Sequence, residues 1–182
     1  PEFYQLRLDK SIIHLAIDST ETLNLSANAA DFANGYELTG SDECEKMRIV
    51  AQESAKLKKR IDELSRAMSS NSDRVDDLRK QAIEDLAAYK KKMFDLVLEN
   101  PASATAYYIV FKEINGDKIL NTYDADDRKL IAAVATGFDS LYPDSPRSKQ
   151  LKNMTLAAIA AERAAQKEKP EIEASTAHFL DL

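Results

Sequence analysis

Apolar and polar residues alternate at the start of the chain, and the pattern then changes to a helical period. In FYQLRLD the apolar positions are Phe3, Leu6 and Leu8; IIHLAID alternates through Ile13, Leu15 and Ile17, and TLNLSA through Leu23, Leu25 and Ala27. A period of two places successive side chains on opposite faces of a strand. Asp9-Lys10 and Asp18-Ser19-Thr20-Glu21 separate the runs with turn-forming residues. Residues 1–40 therefore read as a short antiparallel β meander. So few strands do not hold together alone. They either pack on the helices that follow or are the C-terminal strands of a larger β-rich domain.

From Ser41 the stretch SDECEKMRIVAQESAKLKKRIDELSRAM puts Met47, Val50, Leu57, Ile61, Leu64 and Met68 on one helical stripe. Ser41 suits an N-cap, with Asp42 and Glu43 in the electropositive first turn. After SSNSD, Ser72 is expected to cap a second helix carrying Val75, Leu78, Ala82, Leu86, Tyr89, Met93 and Leu96. The near-heptad spacing predicts a long antiparallel helical hairpin and leaves self-association into a homodimer open. Asn100-Pro101 ends that helix and opens a third, ASATAYYIVFKEI. NGDK at 115–118 reads as a turn, Asp124 as the cap of ADDRKLIAAVATGFDSLY, and PDSP at 143–146 as a break before the last helix.

The fold class is thus mainly α, with about five helices over residues 41–169. The tail, residues 170–182, is expected to be a linker followed by a strand through Ala177, Phe179 and Leu180.

Composition narrows the function. Hydrophobic residues make up 44% and charged residues 31%, too apolar for a disordered chain. Scarce glycine (4) and proline (5) fit long helices. A net charge of −6, with bases and acids interspersed, argues against a nucleic-acid partner. No apolar run approaches the roughly 18 residues of a membrane span.

Candidate chemistry is sparse. Cys44, the single cysteine, excludes an internal disulfide and a paired-cysteine zinc site. Its place near a helix start favours a thiolate, but Asp42, Glu43 and Glu45 oppose one. It reads as an incidental core thiol. His14 and His178 fall in separate strand-like segments and make no metal site by themselves. Asp124, Asp126 and Asp127 resemble the opening of a calcium loop but lack its glycine and distal glutamate, so a helix cap explains them better. Lys90, Lys91 and Lys92 are expected to snorkel along a helix, and Tyr107, Tyr108 and Phe111 to lie in the core. No catalytic, cofactor-binding or metal-ligating residue is assigned. The proline-started helices at Pro101 and Pro143 resemble those of tetratricopeptide-type repeats. Their separation of 42 residues departs from the roughly 34-residue period of such repeats.

The order of parts carries one further resemblance. The strands leading through Gly40-Ser41 into helices, the start Glu99-Asn100-Pro101-x-Ser103, and LYPDSPRSKQLK before the last helix resemble a group of bacterial envelope thiol-disulfide oxidoreductases. Those proteins have a β-rich N-terminal domain, a helical insert and a thioredoxin-like domain. In the strand that begins that last domain, Ala177, Phe179 and Leu180 fit, but Thr176-Ala177-His178 replaces the usual Ala-Pro-Asp. The family's Cys-x-x-Cys would fall beyond Leu182, so no catalytic residue is carried over. The resemblance implies a parent in the periplasm or cell envelope that exchanges disulfides with protein substrates or redox partners. This chain would be its non-catalytic spacer or docking region. The alternative, from the residues alone, is a helical repeat-like protein-interaction module with no redox role.

Overall fold

A computed structural model of the chain describes residues 2–70 and 72–180, and the side chains of residues 2–70 and 73–164. The period-two segment forms an antiparallel hairpin of Glu2–Leu8 (β1) and Ser11–Ile17 (β2). Asp9 takes a φ of 51° in its two-residue turn, a left-handed conformation that aspartate tolerates. Asn24–Ser26 (β3) and Glu37–Thr39 (β4) make a second, separate ladder. Strand β4, with buried Leu38 between exposed Glu37 and Thr39, is not among the strands read from the sequence. Gly40 leads into the helices with a φ of 98°, and a Cβ there would stand 2.1 Å from the Thr22 carbonyl oxygen.

The protein is mainly α, with five helices among the described residues: Asp42–Ser70 (α1), Val75–Glu99 (α2), Ala104–Val110 (α3), Ala125–Leu141 (α4) and Pro146–Leu180 (α5). Ser41 Oγ accepts from the Cys44 amide at 3.3 Å, the expected cap of α1. Ser72 does not cap α2. A 3-10 turn over Ser72–Arg74 precedes that helix, whose cap position is Arg74 with no side-chain hydrogen bond. Asn100 ends α2, and Ser103 Oγ accepts from Ala106 N at 3.0 Å to start α3. Glu43 reaches across from α1 and accepts from both Thr105 N and Thr105 Oγ1 at 2.9 Å, closing the same helix start. A tight hairpin of Glu113–Ile114 (β5) and Asp117–Lys118 (β6) follows. Asn115 and Gly116 both have positive φ in its turn, as a two-residue hairpin demands.

Of the expected stripes, Met47, Val50, Leu57 and Leu64 of α1 and Leu78, Tyr89 and Met93 of α2 are buried, while near the end of α2 Val97 is buried in place of the expected Leu96. Along its flank Lys46 meets Glu99 at 2.8 Å, Glu53 meets Lys92 at 2.7 Å and Arg60 meets Asp85 at 3.0 Å. The rungs are one heptad apart on each helix and alternate in sign. Sliding one helix by a heptad would oppose like charges at the two rungs that still meet, so the ladder fixes register more than it adds stability.

The chain falls into two compact units. One compact unit comprises Pro1–Ile119 and a second Leu120–Leu182. The strands belong with α1–α3 because both faces of β2 are packed. Ile13 lies with Tyr36, Leu38 and Cys44 on one side, and Ala16 with Met47 and Ala104 on the other. The second unit is a hairpin of α4 and α5. Ser148 Oγ donates within reach of the Phe138 and Tyr142 carbonyls, and Arg128 pairs with Glu162 at 2.6 Å. Helix α5 extends to Leu180, so the strand expected at residues 177–180 is helical instead. Glu171, Glu173, Ala174 and Ala177 lie in or just before that stretch, and glutamate and alanine favour helix over strand. Asp181 and Leu182 lie outside the described residues. No helix is long and apolar enough to cross a membrane, among the described residues.

Candidate functional site

The chemistry-bearing residues of the first unit gather around β2. Cys44 is fully buried in the first turn of α1, facing the edge of β2 that β1 leaves open. Its sulfur accepts from the Ala16 amide at 3.3 Å and its S–H donates to the Ala16 carbonyl at 3.1 Å. Burial pushes the thiol pKa up, and the Ala16 amide offsets only part of that. Cys44 is therefore a protonated structural thiol that stands in for a strand neighbour.

On the opposite face of β2, α3 presents Tyr107 and Tyr108. Tyr107 packs on Phe3 and Phe111, with ring centroids 5.1 and 4.7 Å apart. Tyr108 stacks at 5.3 Å on His14 and accepts from Lys112 Nζ at 2.9 Å. Burial lowers the Lys112 pKa. Burial, then the charges of Lys112 and Arg7, lower that of His14. The hydroxyls of Tyr36, Tyr89 and Tyr108 are each pushed up to about 12 by burial. The outcome is a half-buried aromatic platform edged with basic groups, with neutral His14 at its centre.

The remaining candidates play structural parts. Asp124 accepts from the amides of Asp126 and Asp127, and Asp127 accepts from Asn121 N at 2.8 Å, so these acids cap α4 and close the loop before it. Lys91 and Lys92 form surface ion pairs with Asp95 and Glu53. The side chain of His178 lies outside the described ones. No cluster of histidine, cysteine and acids capable of holding a metal occurs among the described residues. Two clefts flank α1–α2, of about 200 Å³ around Arg60 and Tyr89 and about 210 Å³ around Ile61 and Ile114. Both fall short of the roughly 300 Å³ at which small-molecule sites begin.

No known protein family, curated protein or solved structure matches the chain. Function rests on the geometry. Arg7 and Lys112, the basic groups at the platform, are not among the residues that the sequence motifs single out. Lys112 follows Tyr108 by four residues, the spacing that lets two side chains meet on one helical face. That spacing is the signal the sequence carries.

Proposed function

We propose that this chain is a non-catalytic spacer and docking region of an envelope thiol-disulfide oxidoreductase, with the disulfide exchange performed by a thioredoxin-like domain outside residues 1–182. The observation that carries this reading is the state of Cys44. A thiol buried, protonated and bonded twice to Ala16 is the opposite of the exposed, activated thiolate that exchange requires. Ser41 at the start of α1 and Ser103 at the start of α3 act as caps, which supports reading Gly40-Ser41 and Glu99–Ser103 as the junctions of the resembled architecture. Its partners would be protein substrates or redox proteins rather than nucleic acid, given the charge balance, and its compartment the periplasm or cell envelope.

The parent reading frame downstream of Leu182 should encode Cys-x-x-Cys, and a frame without it removes the redox assignment. The chain alone should not reduce insulin disulfides with dithiol. Turnover dependent on Cys44 would overturn the non-catalytic reading.

The helical course of α5 through residues 177–180 favours the second reading, a helical protein-interaction module without redox function. A frame lacking the cysteine pair would leave that one standing. Homodimer formation through the α1–α2 hairpin is a separate element of the proposal, checked by sedimentation over a range of concentrations.

A further inference from the structure

The two edges of the β1–β2 hairpin differ. In an antiparallel pair, alternate residues turn their N–H and C=O toward the neighbour and away from it. Ala16 gives both groups to Cys44, on the side away from β1. By alternation along the register, Gln5 opposite His14 and Arg7 opposite Ile12 also turn their main-chain groups outward. For β1, outward is an open edge, since its ladder contains only β2 and neither Gln5 nor Arg7 has another main-chain partner among the described residues. Cys44 and α1 close the sheet on one side, and among the described residues the edge left open is that of β1.

The side chains specify what would add there. On one face Tyr4, Leu6 and Leu8 are 52%, 43% and 38% exposed. Tyr4 and Leu6 stand opposite Leu15 and Ile13, which pack into the core with Tyr36 and Leu38. The apolar face thus runs from the core onto β1 and stops uncovered. The other face of β1 carries Gln5 and Arg7, beside His14 and Lys112. Gln5 Oε1 receives the Arg7 guanidinium at 2.6 Å and Tyr108 receives the Lys112 amine. No carboxylate pairs with either base among the described residues. Soluble proteins often guard such an edge with charged side chains, a proline or a bulge; β1 has neither proline nor bulge along Glu2–Leu8, and its charges there are Glu2 and Arg7.

We propose that the open edge of β1 takes up an extended protein segment as a third strand, and that the fitting segment alternates apolar and acidic residues. The apolar side chains extend the Tyr4–Leu6–Leu8 face while the acids lie beside Arg7 and the platform behind it. Main-chain bonds to Gln5 and Arg7 supply affinity, and the two faces set the register. This gives the docking reading a surface, and rests on that reading only for its biological purpose.

The test uses the whole chain with two capped seven-residue peptides of threonine, valine and glutamate, or of threonine, valine and lysine in the glutamate positions. The glutamate peptide should slow amide exchange at Gln5 and Arg7 by about tenfold or more. It should bind about tenfold tighter than the lysine peptide at low salt. Arg7→Glu, which leaves the backbone intact, should reverse that preference. Gln5→Pro removes an outward donor and should abolish uptake. Equal binding of both peptides, or no protection with either, overturns the proposal. So does protection that appears without peptide as protein concentration rises, which would assign the edge to a second copy. A parent frame without Cys-x-x-Cys would leave all these outcomes unchanged, so the two readings fail separately.

Discussion

The thiol of Cys44 and the main chain of Ala16 exchange two hydrogen bonds, at 3.3 and 3.1 Å, across 28 residues of sequence. This contact joins the first turn of α1 to the inner edge of β2, and so joins the strands to the helices. Cys44→Ala would leave a buried amide and carbonyl unpaired and should destabilise by about 1–3 kcal/mol. Cys44→Ser keeps a donor and acceptor on a shorter bond and should cost less. Urea midpoints would rank the variants. Iodoacetamide should label native Cys44 only at the rate at which the region opens.

The buried ionisable groups give stability a defined pH profile. A folded pKa raised above the unfolded value stabilises below the unfolded pKa and loses that contribution as pH rises through the folded one. Cys44 is raised from 9.0, and Tyr36, Tyr89 and Tyr108 from 10.0 to about 12. The urea midpoint should therefore fall as pH rises above 9, with Lys112, lowered by burial, acting in the opposite direction. His14 is lowered from 6.5, so its contribution is lost as pH falls below 6.5. His14→Gln should flatten the profile between pH 6.5 and 5, above the range where carboxylates titrate. An unchanged slope would show that His14 is solvated like a free histidine.

Ser54 and Tyr89 meet inside the hairpin at 2.7 Å. Ser54 has one proton, and its hydroxyl also lies 2.6 Å from the Val50 carbonyl, which can only accept. Tyr89 is therefore the donor to Ser54. Tyr89→Phe leaves Ser54 satisfied and should cost about 0.5–1.5 kcal/mol. Ser54→Ala strands the Tyr89 hydroxyl and should cost about 1–3 kcal/mol. The double variant should lose less than the sum, a non-additivity that a double-mutant cycle measures.

Gly40→Ala combines a left-handed backbone with a Cβ 2.1 Å from the Thr22 carbonyl oxygen. Main chain rather than a movable side chain occupies that space. A loss of about 2 kcal/mol or more is expected. Thermal unfolding of the purified variant checks it, and a melting temperature within a degree of wild type would mean that this turn yields.

The helices are legible in the sequence because each buries a stripe at helical spacing: Met47, Val50, Leu57 and Leu64 declare α1 by their spacing alone. Asn115-Gly116 declares its turn through the conformations only such residues adopt cheaply. Strand β4 is harder to read, since Glu37-Leu38-Thr39 is a short run next to glycines and its strand character rests on pairing with β3, here Leu38 across from Leu25. The tail misleads because Ala177, Phe179 and Leu180 suggest a strand while the glutamates and alanines before them extend a helix. The grouping of the strands with α1–α3 in one compact unit has a tertiary cause. Nothing along the chain announces that Cys44 and Met47 will reach opposite faces of β2. Of the platform, the aromatic residues are visible as core, whereas the pairing of Lys112 with Tyr108 and the nearness of Arg7 require the hairpin to be folded.

The alternating rungs Lys46–Glu99, Glu53–Lys92 and Arg60–Asp85 have a mechanical consequence. Two helices barred from slipping past one another behave as a single strut. With 29 residues in α1, the hairpin tip stands roughly 40 Å along the axis from Asp42. Pulled or pushed at its tip, such an element transmits displacement to the strands at its base with little loss, and the distance it sets is written in charge.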